Sequence, residues 1–255
     1  MNNFRENIKR ELKNLFDSND SVYSVWEGGS AATGFLDEYS DLDIGMICKD
    51  EAVESVFEQI EQFLDKNYAI KHIFKVPDKM WHEHAHRFYI VDNSPPFFYV
   101  DILIEKKSAT GNRFLESDRH GKAQIWIDKK NLIDQTPTPD EVIKKKGKFF
   151  YQYMCDYFPI QLIEIKKNLA RNNKIDALRT YQQLFGQMAY LFNLKYRRNK
   201  YDFGLRYAER TYPQEIVSFL EETMFVKDID EIKKKLPAVE EKFKVLIEEL
   251  KENWR

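Results

Sequence analysis

The chain has 255 residues, with 40 Lys and Arg against 42 Asp and Glu for a formal charge of −2, and 43% of it is hydrophobic. That balance leaves no overall electrostatic footprint for DNA or RNA and excludes a disordered or membrane-embedded chain. No apolar run approaches the ~20 residues of a membrane span, the N-terminus lacks a signal-peptide core, and Cys48 and Cys155 offer no disulfide framework, so a soluble cytoplasmic protein is expected.

Phe4, Ile8, Leu12 and Phe16 recur every four residues within 3–17 and predict an amphipathic helix. Residues 21–26 read as a strand that runs into the turn Gly28-Gly29-Ser30. A strand over 41–48 follows, then a helix over 51–65 with Val53, Val56, Phe57, Ile60, Phe63 and Leu64 as its apolar stripe. Residues 68–76 alternate weakly, as a strand would. The runs 84–91 and 97–104, joined by Asp92-Asn93-Ser94-Pro95-Pro96, predict a hairpin. Residues 105–121 read as irregular and 124–127 as a last short strand. Thr138 as cap, Pro139 as first helical residue and Glu141 closing a capping box then predict a helix start. Beyond it helical periodicity dominates, over 139–156, 158–171, 174–197, 213–223 and 229–253. The fold class expected is α+β: a mixed sheet with flanking helices over 1–136, then an all-helical domain over 137–255.

Chemistry concentrates in the stretch from Gly28 to Ile47. Strand side chains alternate, so Asp41 and Asp43 point the same way, about 7 Å apart along the chain. Two such carboxylates are costly in a partly buried place unless a cation sits between them. Oxygen-only ligands favour Mg²⁺, which commonly binds substrate phosphates as well. Gly29 lets backbone approach a ligand closely, and Ser30 stands where a helix start exposes N–H groups to phosphate, a place where serine also serves as an ordinary cap. A phosphate cradle followed by a carboxylate pair suggests a nucleoside triphosphate.

Gly29-Ser30, ten residues, then Asp41-Leu42-Asp43 resembles the signature of the DNA polymerase beta-like nucleotidyltransferase superfamily. Its third aspartate, on a following strand, is matched by Asp101 within Phe97-Phe98-Tyr99-Val100-Asp101-Ile102-Leu103-Ile104. The wording Ala32-Thr33-Gly34 … Asp37-Glu38-Tyr39-Ser40-Asp41-Leu42-Asp43 is similar to the branch of aminoglycoside and lincosamide adenylyltransferases. The resemblance implies a nucleotidyltransferase-type domain that moves AMP from ATP, with Mg²⁺, onto a hydroxyl of a small molecule such as an aminoglycoside. It makes Asp41, Asp43 and Asp101 metal ligands and catalytic residues, with Asp101 either a second-metal ligand or the general base, and gives Gly29 and Ser30 to the triphosphate. Two alternatives stay open: a protein or RNA acceptor, as in toxin–antitoxin nucleotidyltransferases, and a catalytically silent nucleotide-binding module.

The other candidates are weaker. Asp92 fits turn chemistry, Asp37 and Glu38 read as solvated turn residues, and Asp228 and Asp230 sit where a helix start needs a cap. His82, His84 and His86 alternate on a strand, and the outer two, about 13 Å apart, are too far apart to share one tetrahedral ion. An exposed strand face or a substrate-facing edge is expected instead. Lys144, Lys145, Lys146 and Lys148 read as a solvated face. Arg179 and Lys195, beside aromatic and apolar residues of 171–207, are candidate nucleotide contacts, against the alternative of a core helix with a basic exposed end. The sequence leaves the oligomeric state unread.

Overall fold

Strand alternation builds the first half of the molecule. A computed structural model describes residues 3–77, 84–109 and 113–255, and they divide into two units, Met1–Pro137 and Thr138–Arg255. In the first, β1 (Val22–Glu27), β2 (Leu42–Cys48), β3 (Ile70–Lys75), β4 (Ala85–Val91), β5 (Val100–Lys106) and β6 (Gln124–Asp128) form one sheet in the order β3-β4-β5-β2-β1-β6. β2 and β5 run parallel, and every other neighbouring pair is antiparallel.

Leu42, Ile44 and Met46 of β2 and Val100, Ile102 and Ile104 of β5 face one way. They bury against Ile8, Leu12 and Phe16 of α1 (Asn3–Asp17) and Val56, Phe57 and Ile60 of α3 (Val53–Tyr68). The alternate positions, Asp43, Ile47, Asp101 and Glu105, face the other way. There Ile47 joins Trp26, Leu115 and Ala123 in a separate small core. The short helices α2 (Gly29–Thr33) and α4 (Ser117–His120) complete the unit.

The second unit is helical: α5 (Asp140–Ala170), α6 (Lys174–Tyr196), α7 (Ala208–Thr211), α8 (Gln214–Met224) and α9 (Ile229–Trp254). Tyr181, Phe185, Met188 and Phe192 of α6 meet Met154, Phe158 and Leu162 of α5 and Leu236, Val239 and Phe243 of α9 in one core. Asp228 caps α9 as expected, its carboxylate accepting from the Glu231 amide at 2.9 Å. Among the described residues no helix is long and apolar enough to cross a membrane.

The expected mixed sheet followed by helices is the observed architecture, with three local corrections. The break expected near residue 157 is absent, and α5 continues through Pro159. Phe158, Leu162 and Ile165 are buried on both sides of that proline, and this burial outweighs one lost backbone hydrogen bond. The helix start also falls one residue later than expected: Pro139 occupies the cap position and Asp140 is the first helical residue. Asp140 pairs with Lys144 at 2.9 Å and Arg198 at 2.8 Å, an acid placed favourably in the first turn. Third, 105–121 is less irregular than expected, since β5 runs to Lys106 and α4 occupies 117–120.

Gly147 lies in α5 where a Cβ would stand 2.0 Å from the Trp254 ring. Alanine inside a helix ordinarily stabilises by up to about 1 kcal/mol over glycine. Here Gly147→Ala is expected to destabilise by roughly 1–3 kcal/mol through overpacking. Urea unfolding reads the sign, and an unchanged or raised midpoint would show that Trp254 does not depend on the bare glycine.

Candidate active site

The turn between β1 and β2 is fitted to one carboxylate. The Gly28 amide donates to the Asp43 carbonyl at 3.0 Å. Gly29 has φ +51°, and a Cβ there would lie 1.7 Å from Asp43 Oδ2, so the carboxylate rests against bare backbone. Glycine alone meets both demands. Ser30 is not the cap of α2, because that position belongs to Gly28. The Ser30 Oγ is instead buried and without a hydrogen-bond partner among the described residues. Such a hydroxyl costs on the order of 1–3 kcal/mol, which a polar ligand would offset.

Asp43 and Asp101 are direct neighbours in the register of β2 and β5. Parallel strands lie about 4.8 Å apart, so two carboxylates stand side by side on the face away from α1 and α3. Asp41, one residue before β2, shares that face. Tyr99, just before β5, donates its hydroxyl to Asp41. Burial first, then that bond and the charges of Asp41, Asp43 and Asp101, raise the phenol's pKa well above the ordinary tyrosine range. One hydroxyl therefore senses all three carboxylates.

His86, on β4, bonds Asp101 through Nε2, and its ring lies 4.4 Å from that of Phe88. His84 is buried. His84 thus departs from the expected exposed face, while His86, half-buried against Asp101, is compatible with the alternative of a substrate-facing edge; His82 lies outside the described residues. Asp92 is the turn residue expected, accepting from the Asn93 amide at 2.9 Å.

Arg5, 4% exposed, braces the cluster from behind. Its Nε donates to the Asp41 carbonyl at 3.0 Å, and the same guanidinium bonds Glu27, fully buried at the end of β1. Lys9 Nζ reaches the other Glu27 oxygen at 2.5 Å. Among the described residues no three acidic, His or Cys side chains already converge as a metal cage. The paired, partly exposed Asp43 and Asp101 nonetheless offer the hard oxygen donors that a divalent cation takes, with Asp41 beside them.

Residues 5–109 match the family model of the nucleotidyltransferase domain. The first unit is a nucleotidyltransferase domain. The match spans α1 to the end of β5, less than half of the chain, and includes Gly29, Ser30, Asp41, Asp43 and Asp101. It makes the protein an enzyme of the nucleotidyltransferase class. Among solved structures, the chain is similar to an aminoglycoside 6-adenyltransferase from Bacillus subtilis at 17% identity and a TM-score of 0.34, over 98% of this chain and 91% of that one. So loose a superposition transfers neither substrate nor residue roles. No curated protein matches.

Arg179 and Lys195 lie outside the nucleotidyltransferase domain, on α6, and each has a carboxylate of its own unit nearby. Lys195 pairs with Glu249 at 2.6 Å and stands 5.1 Å over the Tyr196 ring; Arg179 lies 3.8 Å from Asp176. Burial would lower the Lys195 pKa, but Glu249 and Tyr196 more than offset it and hold the ammonium above the usual lysine range. At the end of α6 Lys195 and Arg198 are exposed, as the alternative of a basic exposed end has it, while Arg197 between them is buried and donates to the Gly204 carbonyl at 2.7 Å and Thr211 Oγ1 at 2.8 Å.

Glu105, on the same face of β5 as Asp101, carries no motif in the sequence. It is fully buried, and Arg113 Nε, 3.2 Å away, is its ion-pair partner. Burial pushes its carboxyl up to about 8, with Arg113 only moderating the rise. A folded-state pKa above the unfolded one means that the native state keeps a proton the unfolded chain has lost. The Glu105 contribution to stability should therefore be highest below the ordinary glutamate range and fall as pH rises towards about 8. Glu105→Gln should flatten that fall in urea titrations at successive pH values, and an unaltered slope would assign it to another group.

Gly29→Ala tests the seat of Asp43 directly. The methyl must displace the carboxylate or the turn, and misplacement by about 1 Å can cost a hundredfold in rate. Pyrophosphate release should fall by about that factor with the circular dichroism spectrum unchanged. Retained activity would mean that Asp43 can work from elsewhere.

Proposed function

We propose that this enzyme transfers AMP from ATP to a hydroxyl of a small polyhydroxylated acceptor, with aminoglycoside-type compounds the first class to test. The acceptor oxygen attacks the α-phosphorus, the bond to the β-phosphate's bridging oxygen breaks, and pyrophosphate leaves. The observation that carries this reading is the in-register pair Asp43 and Asp101, set beside Gly29 and a Ser30 hydroxyl with no hydrogen-bond partner among the described residues.

Asp41, Asp43 and Asp101 would hold Mg²⁺, which when bound offsets charge that develops on the phosphates. The remaining work belongs to the chain. Ser30 Oγ donates to a phosphate oxygen, and Gly29 leaves room for the triphosphate to approach the backbone. Asp101 serves either as ligand or as acceptor of the hydroxyl proton, and the His86 bond fixes its rotamer for both tasks. Tyr99 holds Asp41 on the shared face. The acceptor class rests on the wording around Asp37 to Asp43, which is similar to that of the small-molecule adenylyltransferases.

The test is pyrophosphate release from ATP and Mg²⁺ across aminoglycosides, lincosamides and other polyols, with Asp41→Asn beside the natural chain. Release that depends on one acceptor and drops at least about a hundredfold in Asp41→Asn is expected. Full activity in that variant would sink the metal assignment. Silence across the panel with ATP and Mg²⁺ still bound would point to a protein acceptor or a silent binding module.

A further inference from the structure

A cavity of about 670 Å³ opens in the first unit between the segment that precedes β2 and the turn that precedes β5. Two aromatic side chains stand out beside it: Tyr39 is 62% exposed and Phe97 76%, with ring centroids 6.2 Å apart and planes inclined by 55°. Large aromatics so exposed forgo the burial that ordinarily places them inside. The backbone holds Phe97 there, at φ +68° directly after Pro95 and Pro96. Glu38 adds an exposed carboxylate to the wall, while that of Asp37 also accepts from the Tyr39 amide at 3.1 Å and the Ser40 hydroxyl at 2.9 Å. The one cation in the lining among the described residues, Arg5, has its guanidinium bound to the buried Glu27, so it does not cancel them.

We infer that this pocket is a binding site for an organic cation that joins a protonated amine to a planar or apolar body. Two tilted ring faces receive the body and attract the charge through their quadrupoles, while the acids supply the ionic partner. The volume lies within the range of small-molecule sites. An anionic nucleotide would meet two carboxylates here, so the pocket is distinct from the phosphate-binding turn at Gly29 and Ser30. Its wall reaches the carboxylate cluster through Arg5, which donates to the Asp41 carbonyl, and through Ser40, the residue before Asp41. The inference stands apart from nucleotidyl transfer, since binding is read without nucleotide or metal.

Calorimetric titration of the full chain with tryptamine tests it, with tryptophol as the uncharged counterpart. One tryptamine site per chain is expected, with tryptophol weaker by about tenfold. Tyr39→Ala, Phe97→Ala and Glu38→Gln should each weaken tryptamine by about three- to tenfold. All three change exposed side chains, and thermal melts of the variants confirm that the fold is kept. Equal binding of tryptophol, binding indifferent to all three variants, or no saturable binding would each overturn the inference.

Discussion

The parallel pairing of β2 with β5 is the constraint on which both the core and the chemistry depend. Its register sets Asp43 beside Asp101 and, on the opposite face, Ile44 beside Ile102. A slip of one residue would send aspartates into the apolar layer beneath α1 and α3 and bring Ile44 out, at a cost of several kcal/mol for each buried carboxylate. The hydrophobic demand of the core thus enforces the juxtaposition of two like charges. The repulsion is accommodated locally: Tyr99 donates to Asp41, His86 bonds Asp101, and Asp43 lies against a backbone with no Cβ in the way.

What could be read from the sequence divides along the range of the interactions. Asp41, Asp43 and Gly29 are legible because alternation and glycine chemistry act within a few residues. Asp101 is legible because an acid inside a β-prone apolar run is conspicuous. Tyr99, His86 and Arg5 are not, since each reaches the cluster through tertiary pairing. The spatial order β3-β4-β5-β2-β1-β6 places β4 beside β5, and nothing in the local pattern of the histidine run states which residues it will face. Without that register an exposed face and a substrate-facing edge are equally open to His84 and His86, and the structure buries one and sets the other against Asp101.

Residue type misleads where one side chain serves several purposes. Serine after a glycine turn reads as a cap, yet the cap falls two residues earlier and leaves Ser30 Oγ buried without a partner. Lys195 stands over the Tyr196 ring, and its ion-pair partner Glu249 comes from a helix far along the chain. Pro159 reads as a stop signal, but a proline stops a helix only when packing does not hold both sides of it. For Lys195 and Pro159 the interactions that matter come from residues too distant in sequence to be seen.

The Arg5–Glu27 pair shows how a buried charge can serve placement. Exchanging such a pair for apolar residues is often neutral or favourable, whereas removing one partner is costly, so net stability is a weak reason for its presence. Its geometry supplies a better one. Glu27 ends β1 immediately before the glycine turn, and Arg5 links that carboxylate to the carbonyl of Asp41, where β2 is about to begin. One guanidinium thus spans the two strand ends between which the turn must hold its shape, while Lys9, a helical turn further along α1, completes the neutralisation of Glu27. Because Arg5 also lines the aromatic pocket, movement of that wall would be felt at the Asp41 backbone without passing through the apolar core. The geometry of the carboxylates is therefore fixed from two sides, by sheet register in front and by a buried ion pair behind.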